Sequence, residues 1–377
     1  MINHIAINAH LLGRGAGYRS AGIHRYIYGV LSNLPALDQT LRYTLLLNHP
    51  LQTNLPRMEQ RRGMINTDDP KRRILWEQVV QPFALRQIKP DLYHAMAFVA
   101  PRFVPCPLVV TVYDLSFIRY PQVLSGARRK YLQLFTRSTC ERAARVIAIS
   151  ESTANDLVEL MGIPRVKIDV AVPGISDDFC PQPPDEVESF RRKNNLPERF
   201  FFFLGTLEPR KNLPMLLRAY AQLPKSDREA VHLILGGGKG WMYDEIFATI
   251  AHHELADTVH VPGFVDAEAL VWWYNAAEAF VYPTLFEGFG IPIVEAMACG
   301  TPVLASNTSS LPEAAGEAGV LLPPDDESAW TQALSRMIHD AEWRAERSRL
   351  GQIWAANFSW ERTAQQTLES YQQVLSR

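Results

Sequence analysis

Cysteine is sparse and unpatterned in this chain. Four cysteines among 377 residues, Cys106, Cys140, Cys180 and Cys299, form no CxxC pair, and no histidine cluster stands at ligand spacing. A disulfide scaffold and a zinc module are therefore excluded, and reduced thiols are expected. Long apolar runs are missing as well: nothing approaches the roughly 18 consecutive residues of a membrane span. The opening MINHIAINAHLLGRG has neither a basic n-region nor a small-residue cleavage site and reads as a first strand, so a cytoplasmic chain is expected. A large net charge is also absent. The value is −2, and no nucleic-acid partner is expected.

The small net charge hides an asymmetry. Residues 1–180 carry 22 Lys+Arg against 14 Asp+Glu, and the remainder 16 against 26. A 47% hydrophobic chain of this length exceeds one compact core, so two domains are expected. Strand and helix signals alternate through YTLLLN, DLYHAM, PLVVTVYDLS and ARVIAIS, then again through FFFLG, VHLILGG, TVHVPGFV and VYPT. Such alternation predicts parallel sheets covered by helices on both faces, with pockets at the carboxyl ends of strands. Val172–Val187, rich in proline and acids, reads as the linker between them.

Three glycine-rich stretches invite phosphate-loop readings. GRGAGYRSAG after the first strand has no GxGxxG register, which argues against a nicotinamide dehydrogenase, and GGGKG (Gly236–Gly240) lacks the P-loop spacing and reads as a strand-end turn. The third stretch, TLFEGFGIPIVEAMACGTPVLAS from Thr284, places Glu287 in a turn with Gly288 and Gly290. A helix is expected from Ile291, with Pro292 in its first turn and Gly300 and Pro302 ending it, followed by a buried strand at Val303–Ala305. Glu287 and Glu295 frame the helix start, where free backbone N–H groups favour an anion. Two carboxylates beside such a terminus suit a phosphate flanked by polyols, as in a nucleotide sugar; the alternative is a solvated loop charge and an exposed helix residue. GTLEPRKN adds Arg210 and Lys211 after the Gly205 strand end, a pair able to clamp a diphosphate.

FEGFGIPIVEAMACGTPVLAS resembles the donor-site signature of the family 4 retaining glycosyltransferases, and the likeness extends through GTLEPRKNLPMLLRAY and, more loosely, most of the chain. The resemblance implies an α/β GT-B fold: two facing Rossmann-like domains with an interdomain cleft, residues 1–176 binding the acceptor and 177–357 the donor, with helix 358–377 returning to the first domain. It implies that Glu287 orients the hexose, that Arg210 and Lys211 neutralise the diphosphate, that Glu295 binds ribose, and that Gly205, Gly288, Phe289, Gly290 and Ile291 surround the donor. Val265 lies in the segment that lines the base in similar enzymes, and Gly22 in the loop beside the phosphates, though a plain turn glycine is an equal alternative there. Thr206 stands where many relatives have arginine, His24 where a glycine is common, and Tyr113 where many have histidine. Tyr113 and Asp114 are accordingly the candidates for that catalytic strand end. His94 is an acceptor-side candidate or a core histidine.

No Asp-x-Asp occurs, so no metal is expected, and no cofactor beyond a GDP- or UDP-linked donor substrate. The expected activity is retaining, metal-independent hexose transfer to a glycan, lipid-linked or small-molecule acceptor in polysaccharide or glycolipid synthesis. A GT-B epimerase or phosphorylase, or a non-catalytic sugar-nucleotide binder, is the alternative. The basic run Ala127–Ala144 would allow peripheral contact with an anionic inner membrane face; as an ordinary surface helix it would not.

Overall fold

A computed structural model describes residues 3–12, 21–48, 55, 57–62, 69–121 and 126–376. The glycines Gly13, Gly15 and Gly17 of the first loop lie outside them. The chain divides into one unit of Met1–Gly174 with Ser359–Arg377 and a second of Ile175–Phe358.

The first unit holds β1 (His4–Asn8), β2 (Arg42–Leu47), β3 (Met58–Arg62), β4 (Leu92–Ala95), β5 (Leu108–Val112), β6 (Arg145–Ala148) and β7 (Ile168–Val170), in the order β3-β2-β1-β4-β5-β6-β7. The second holds β8 (Phe200–Leu204), β9 (His232–Gly236), β10 (Val259–Gly263), β11 (Ala279–Tyr282), β12 (Val303–Ser306) and β13 (Val320–Leu322), in the order β10-β9-β8-β11-β12-β13. All described pairings are parallel. Strands covered on both faces must be apolar throughout, and β8 meets that demand with Phe200, Phe201, Phe202 and Phe203, all fully buried.

Three strands escape the sequence signal. β3, MEQRR, is a polar edge, while β7 and β13 are only three residues long. The expected linker is shorter than its composition implies, because the helix Pro184–Lys193 begins inside it. Proline at the first helical position, Asp185 and Glu186 in the first turn and Arg191–Lys193 in the last complement the helix dipole. The basic helix is Gly126–Arg142. Its cations are largely engaged by the protein: Arg129 donates to the Pro121 carbonyl at 2.9 Å, Arg137 pairs with Glu141 at 2.9 Å, and Arg142 donates to the Pro101 and Arg102 carbonyls at 3.1 and 2.8 Å.

The helix Trp360–Leu375, capped by Ser359, completes the first unit. Its Tyr371 hydroxyl meets His94 Nδ1 at 2.7 Å, Thr363 donates to the Val172 carbonyl at 2.7 Å, and Ser370 donates to Asp169 at 2.8 Å. Against it lies the helix Ala21–Leu37, where a Cβ on Gly29 would overlap the Trp360 ring. Gly29→Val should therefore cost roughly 1–3 kcal/mol through overpacking. In denaturant unfolding most of that loss should disappear when Trp360→Ala is added, since the two positions share one contact.

Candidate functional site

In the second unit the chain winds outward from β8 in one direction and from β11 in the other, so these neighbouring strands form the switch point of the sheet. Loops leaving their carboxyl ends flank the crevice where open α/β sheets bind ligands. After β8, Gly205 runs so close to the next strand end that a Cβ on Gly237 would overlap the Gly205 carbonyl. GGGKG forms a strand-end turn here, Leu207 N donating to Gly238 O at 2.9 Å and Gly240 N to Leu207 O at 3.0 Å. A 3₁₀ turn, Pro209–Lys211, follows; Asn212 (φ 56°) then turns the chain into the helix Leu213–Ala221, its side chain donating to the Pro324 carbonyl at 2.7 Å. The turn aims Arg210 and Lys211 toward the loop after β11, and Leu285 N closes the gap by donating to Arg210 O at 2.9 Å.

Glu287 meets both cations. Its Oε1 lies against Lys211 Nζ and 3.2 Å from Arg210 Nη1, and it accepts the Tyr282 hydroxyl at 2.9 Å. Lys211 Nζ stands 3.1 Å from the same hydroxyl, and Arg210 also pairs with Glu208 at 2.8 Å and donates to the Phe286 carbonyl. Burial alone would raise the Glu287 pKa; Arg210 and Lys211 outweigh it and hold the carboxyl at about 2. Burial lowers the pKa of Lys211, with Glu287 opposing that shift. Two hydroxyls fix the loop backbone: Ser309 accepts from Glu287 N at 3.0 Å, and Ser310 donates to Glu287 O and Phe289 O at 2.9 Å each. Gly290, at φ 109°, then turns the chain into the helix Ile291–Ala298.

The family model "Glycosyl transferases group 1" matches residues 185–353, and "Glycosyltransferase Family 4" matches residues 21–179. The chain belongs to these family 4, group 1 glycosyltransferases. It is 33% identical over 292 residues to the O-antigen chain mannosyltransferase B of Escherichia coli, covering 77% of this chain and 76% of that protein. Its fold matches sucrose-phosphate synthase from Thermosynechococcus elongatus with a TM-score of 0.77 at 24% identity over 99% of each chain. It also matches Anabaena HepE, solved with UDP and glucose, with a TM-score of 0.75 at 19% identity over 98% of this chain and 100% of that one. The GT-B class is thus the fold of this glycosyltransferase.

The structure brings Gly205, Arg210, Lys211 and Glu287 together at the carboxyl ends of β8 and β11, with Gly288 and Ile291 following on the same loop and helix start, whereas Phe289 is buried with its ring against Phe358 and Gly290 lies against Leu311. Glu295 lies elsewhere: it faces into the unit from the inward side of its helix, fully buried, and accepts the Tyr274 hydroxyl at 3.1 Å. It stands about one turn inside the helix that starts at Ile291, on the face turned toward the core. Val265 packs within 3.0 Å of where a Gly236 Cβ would stand, leaving Phe264 outward.

In the first unit the candidates have structural partners. Tyr113 is buried against Tyr26 and Phe98 and donates to the Met96 carbonyl at 2.7 Å, while Asp114 accepts from Ser116 N at 2.8 Å at the start of the turn Ser116–Arg119. His94 is enclosed, its second nitrogen 2.8 Å from the Thr111 hydroxyl, and burial drives its pKa to about 3. The sequence's other option, a core histidine, describes it. Gly22 opens the Ala21–Leu37 helix at the surface, where a Cβ would meet nothing within 4 Å among the described residues, so packing against them does not demand glycine.

Sequence reasoning missed Glu208, Tyr282, Ser309 and Ser310. A phenol two residues before Thr284 and paired serines after a buried strand are common surface patterns, and only the fold brings them to Glu287. Because the Glu287 pKa is depressed from 4.5, its ion pairs contribute above pH 4.5 and lose that contribution as pH falls through about 2. The difference in unfolding free energy between wild type and Glu287→Gln should be about 3 kcal/mol at neutral pH and shrink below pH 4.5. A difference that stays constant from pH 7 to pH 3 in urea melts would remove the ion pairs as its source.

Proposed function

We propose that the enzyme transfers a hexose from a nucleoside diphosphate sugar, with retention of configuration and without a metal, to a glycan or lipid-linked acceptor in polysaccharide synthesis. The observation that carries this reading is the Arg210–Lys211–Glu287 cluster at the switch point. The mannosyltransferase relative favours mannose as the hexose and a polysaccharide chain as acceptor, and HepE with UDP and glucose favours the donor class.

In the cluster two cations balance the carboxylates of Glu208 and Glu287. A diphosphate arriving beside them competes for the Arg210 fork and the Lys211 ammonium, and frees Glu287 to accept hexose hydroxyls. As the glycosidic bond breaks, charge builds on the departing phosphate, where preformed cations lower the barrier. A donor phosphate oxygen receives the acceptor's proton, so no protein nucleophile is assigned. Positioning supplies the rest of the acceleration. Glu295 belongs to the ribose side of the donor in this reading, and from its buried place it acts by holding the Tyr274 hydroxyl or after a local shift that exposes it.

A thermal-shift screen of GDP- and UDP-linked hexoses tests the donor, since a ligand at 100 times its Kd stabilises by about 2.7 kcal/mol. Loss of one charge-assisted contact in Lys211→Ala should weaken nucleoside diphosphate binding by on the order of 10- to 150-fold, the equivalent of about 1.5–3 kcal/mol. Unchanged affinity would overturn the diphosphate assignment. Separately, transfer should continue after exhaustive chelation; a strict need for added magnesium or manganese would refute metal independence.

A further inference from the structure

The protein holds the Glu287 carboxylate by one of its two oxygens. Oε1 takes Lys211 Nζ, Arg210 Nη1 at 3.2 Å and the Tyr282 hydroxyl at 2.9 Å, with the Thr284 hydroxyl 3.4 Å away. No hydrogen bond from the described residues reaches Oε2. A carboxylate oxygen offers about two lone-pair sites, so Oε1 is full while Oε2 keeps its own for a hydroxyl brought by a ligand. The last torsion of a glutamate is broad and close to two-fold. Without partners on Oε1, the two oxygens would exchange places freely.

The three closest donors on Oε1 differ in what can move them. Arg210 and Lys211 are cations on the turn after β8, and a diphosphate competes for both. Tyr282 is neutral and is the last residue of β11, with its ring stacked against Phe203 of β8 and Phe280 at centroid separations of 5.9 and 5.4 Å. Burial, with Glu287 adding to it, raises its pKa well above that of a free phenol, so the hydroxyl keeps its proton and stays a donor. The ring packing holds that hydroxyl beside Glu287 when the cations turn to phosphate.

We propose that Tyr282 is a positioning residue for the transfer: its hydroxyl anchors Glu287 Oε1 after the donor diphosphate has drawn off Arg210 and Lys211, so that Oε2 alone meets a hydroxyl of the hexose. The inference rests on the proposed transfer from a nucleoside diphosphate sugar. Tyr282 touches neither the diphosphate nor the hexose and acts only through Glu287. Losing its hydroxyl leaves the cations for the diphosphate in place and frees the carboxylate to rotate, so selection among hexose hydroxyls is what suffers.

The test is calorimetric titration of the full chain with GDP, UDP, their mannose and glucose conjugates, and analogues of those conjugates lacking one hexose hydroxyl. Wild type should bind its donor about tenfold or more tighter than at least one deoxygenated analogue, the worth of one hydrogen bond to a charged group. Tyr282→Phe, which keeps the ring, should lose most of that discrimination and hold GDP and UDP as wild type does. The discrimination is a ratio within one variant, so a lowered melting temperature does not produce the loss. In a Glu287→Gln background the added Tyr282→Phe should change the ratio no further, because both act on one contact. Full discrimination in Tyr282→Phe, or a wild type indifferent to every deoxygenated analogue, would overturn the inference. So would a matching loss of GDP and UDP affinity, which would place the hydroxyl on the diphosphate. If wild type bound none of the conjugates, the transfer reading itself would fall, and this inference with it.

Discussion

A lysine buried to the tip is tolerable only when its charge is answered on the spot, and the second unit is arranged around one such answer. Lys211 is brought by the turn after β8 and Glu287 by the loop after β11, and neither loop could relax without stranding the other's charge. Removing one partner of a buried pair costs far more than the pair contributes as a whole. The ion pair therefore acts less as a source of stability than as a lock on geometry. Arg210, the Tyr282 hydroxyl and the two serines all hold the same carboxylate or its backbone, which gives a loop at a strand end the fixity usually found inside a sheet.

Glycine makes that convergence sterically possible. Gly237 lets the β9 end pass against the Gly205 carbonyl, and Gly290 adopts a left-handed backbone with Leu311 packed where a Cβ would project. Substitution at either position would push the loops apart by side-chain bulk rather than by loss of chemistry. Loops held this way have little freedom to wander, as the proposed transfer, in which positioning supplies much of the acceleration, would require.

The parallel sheets were legible in the sequence because a strand covered on both faces must be apolar along its length, and FFFFL or LVVTV has no other reading. The Gly-rich turn and the helix at Ile291 were equally legible, since proline, glycine and the apolar run each restrict the backbone locally. Facing direction was not. Glu295, Tyr113 and His94 all sit at promising places in sequence, yet each side chain is turned into its own unit, where Tyr274, the Met96 carbonyl and Tyr371 receive it. Such orientation depends on partners 17 to 277 residues away, which no local pattern encodes. For the same reason Ser309 and Ser310 carried no signal until the fold brought them to Glu287.

The seat of the helix Trp360–Leu375 has a consequence for how the molecule comes into being. The second unit is one uninterrupted stretch of chain, whereas the first needs a helix translated only after that stretch is finished. On the ribosome the seven-stranded sheet must wait with the groove beside Gly29 open, and His94 without its tyrosine, while its younger neighbour has every residue it needs to close. Order of synthesis and order of completion are thus inverted in this protein, and its early half spends the interval as the more vulnerable one.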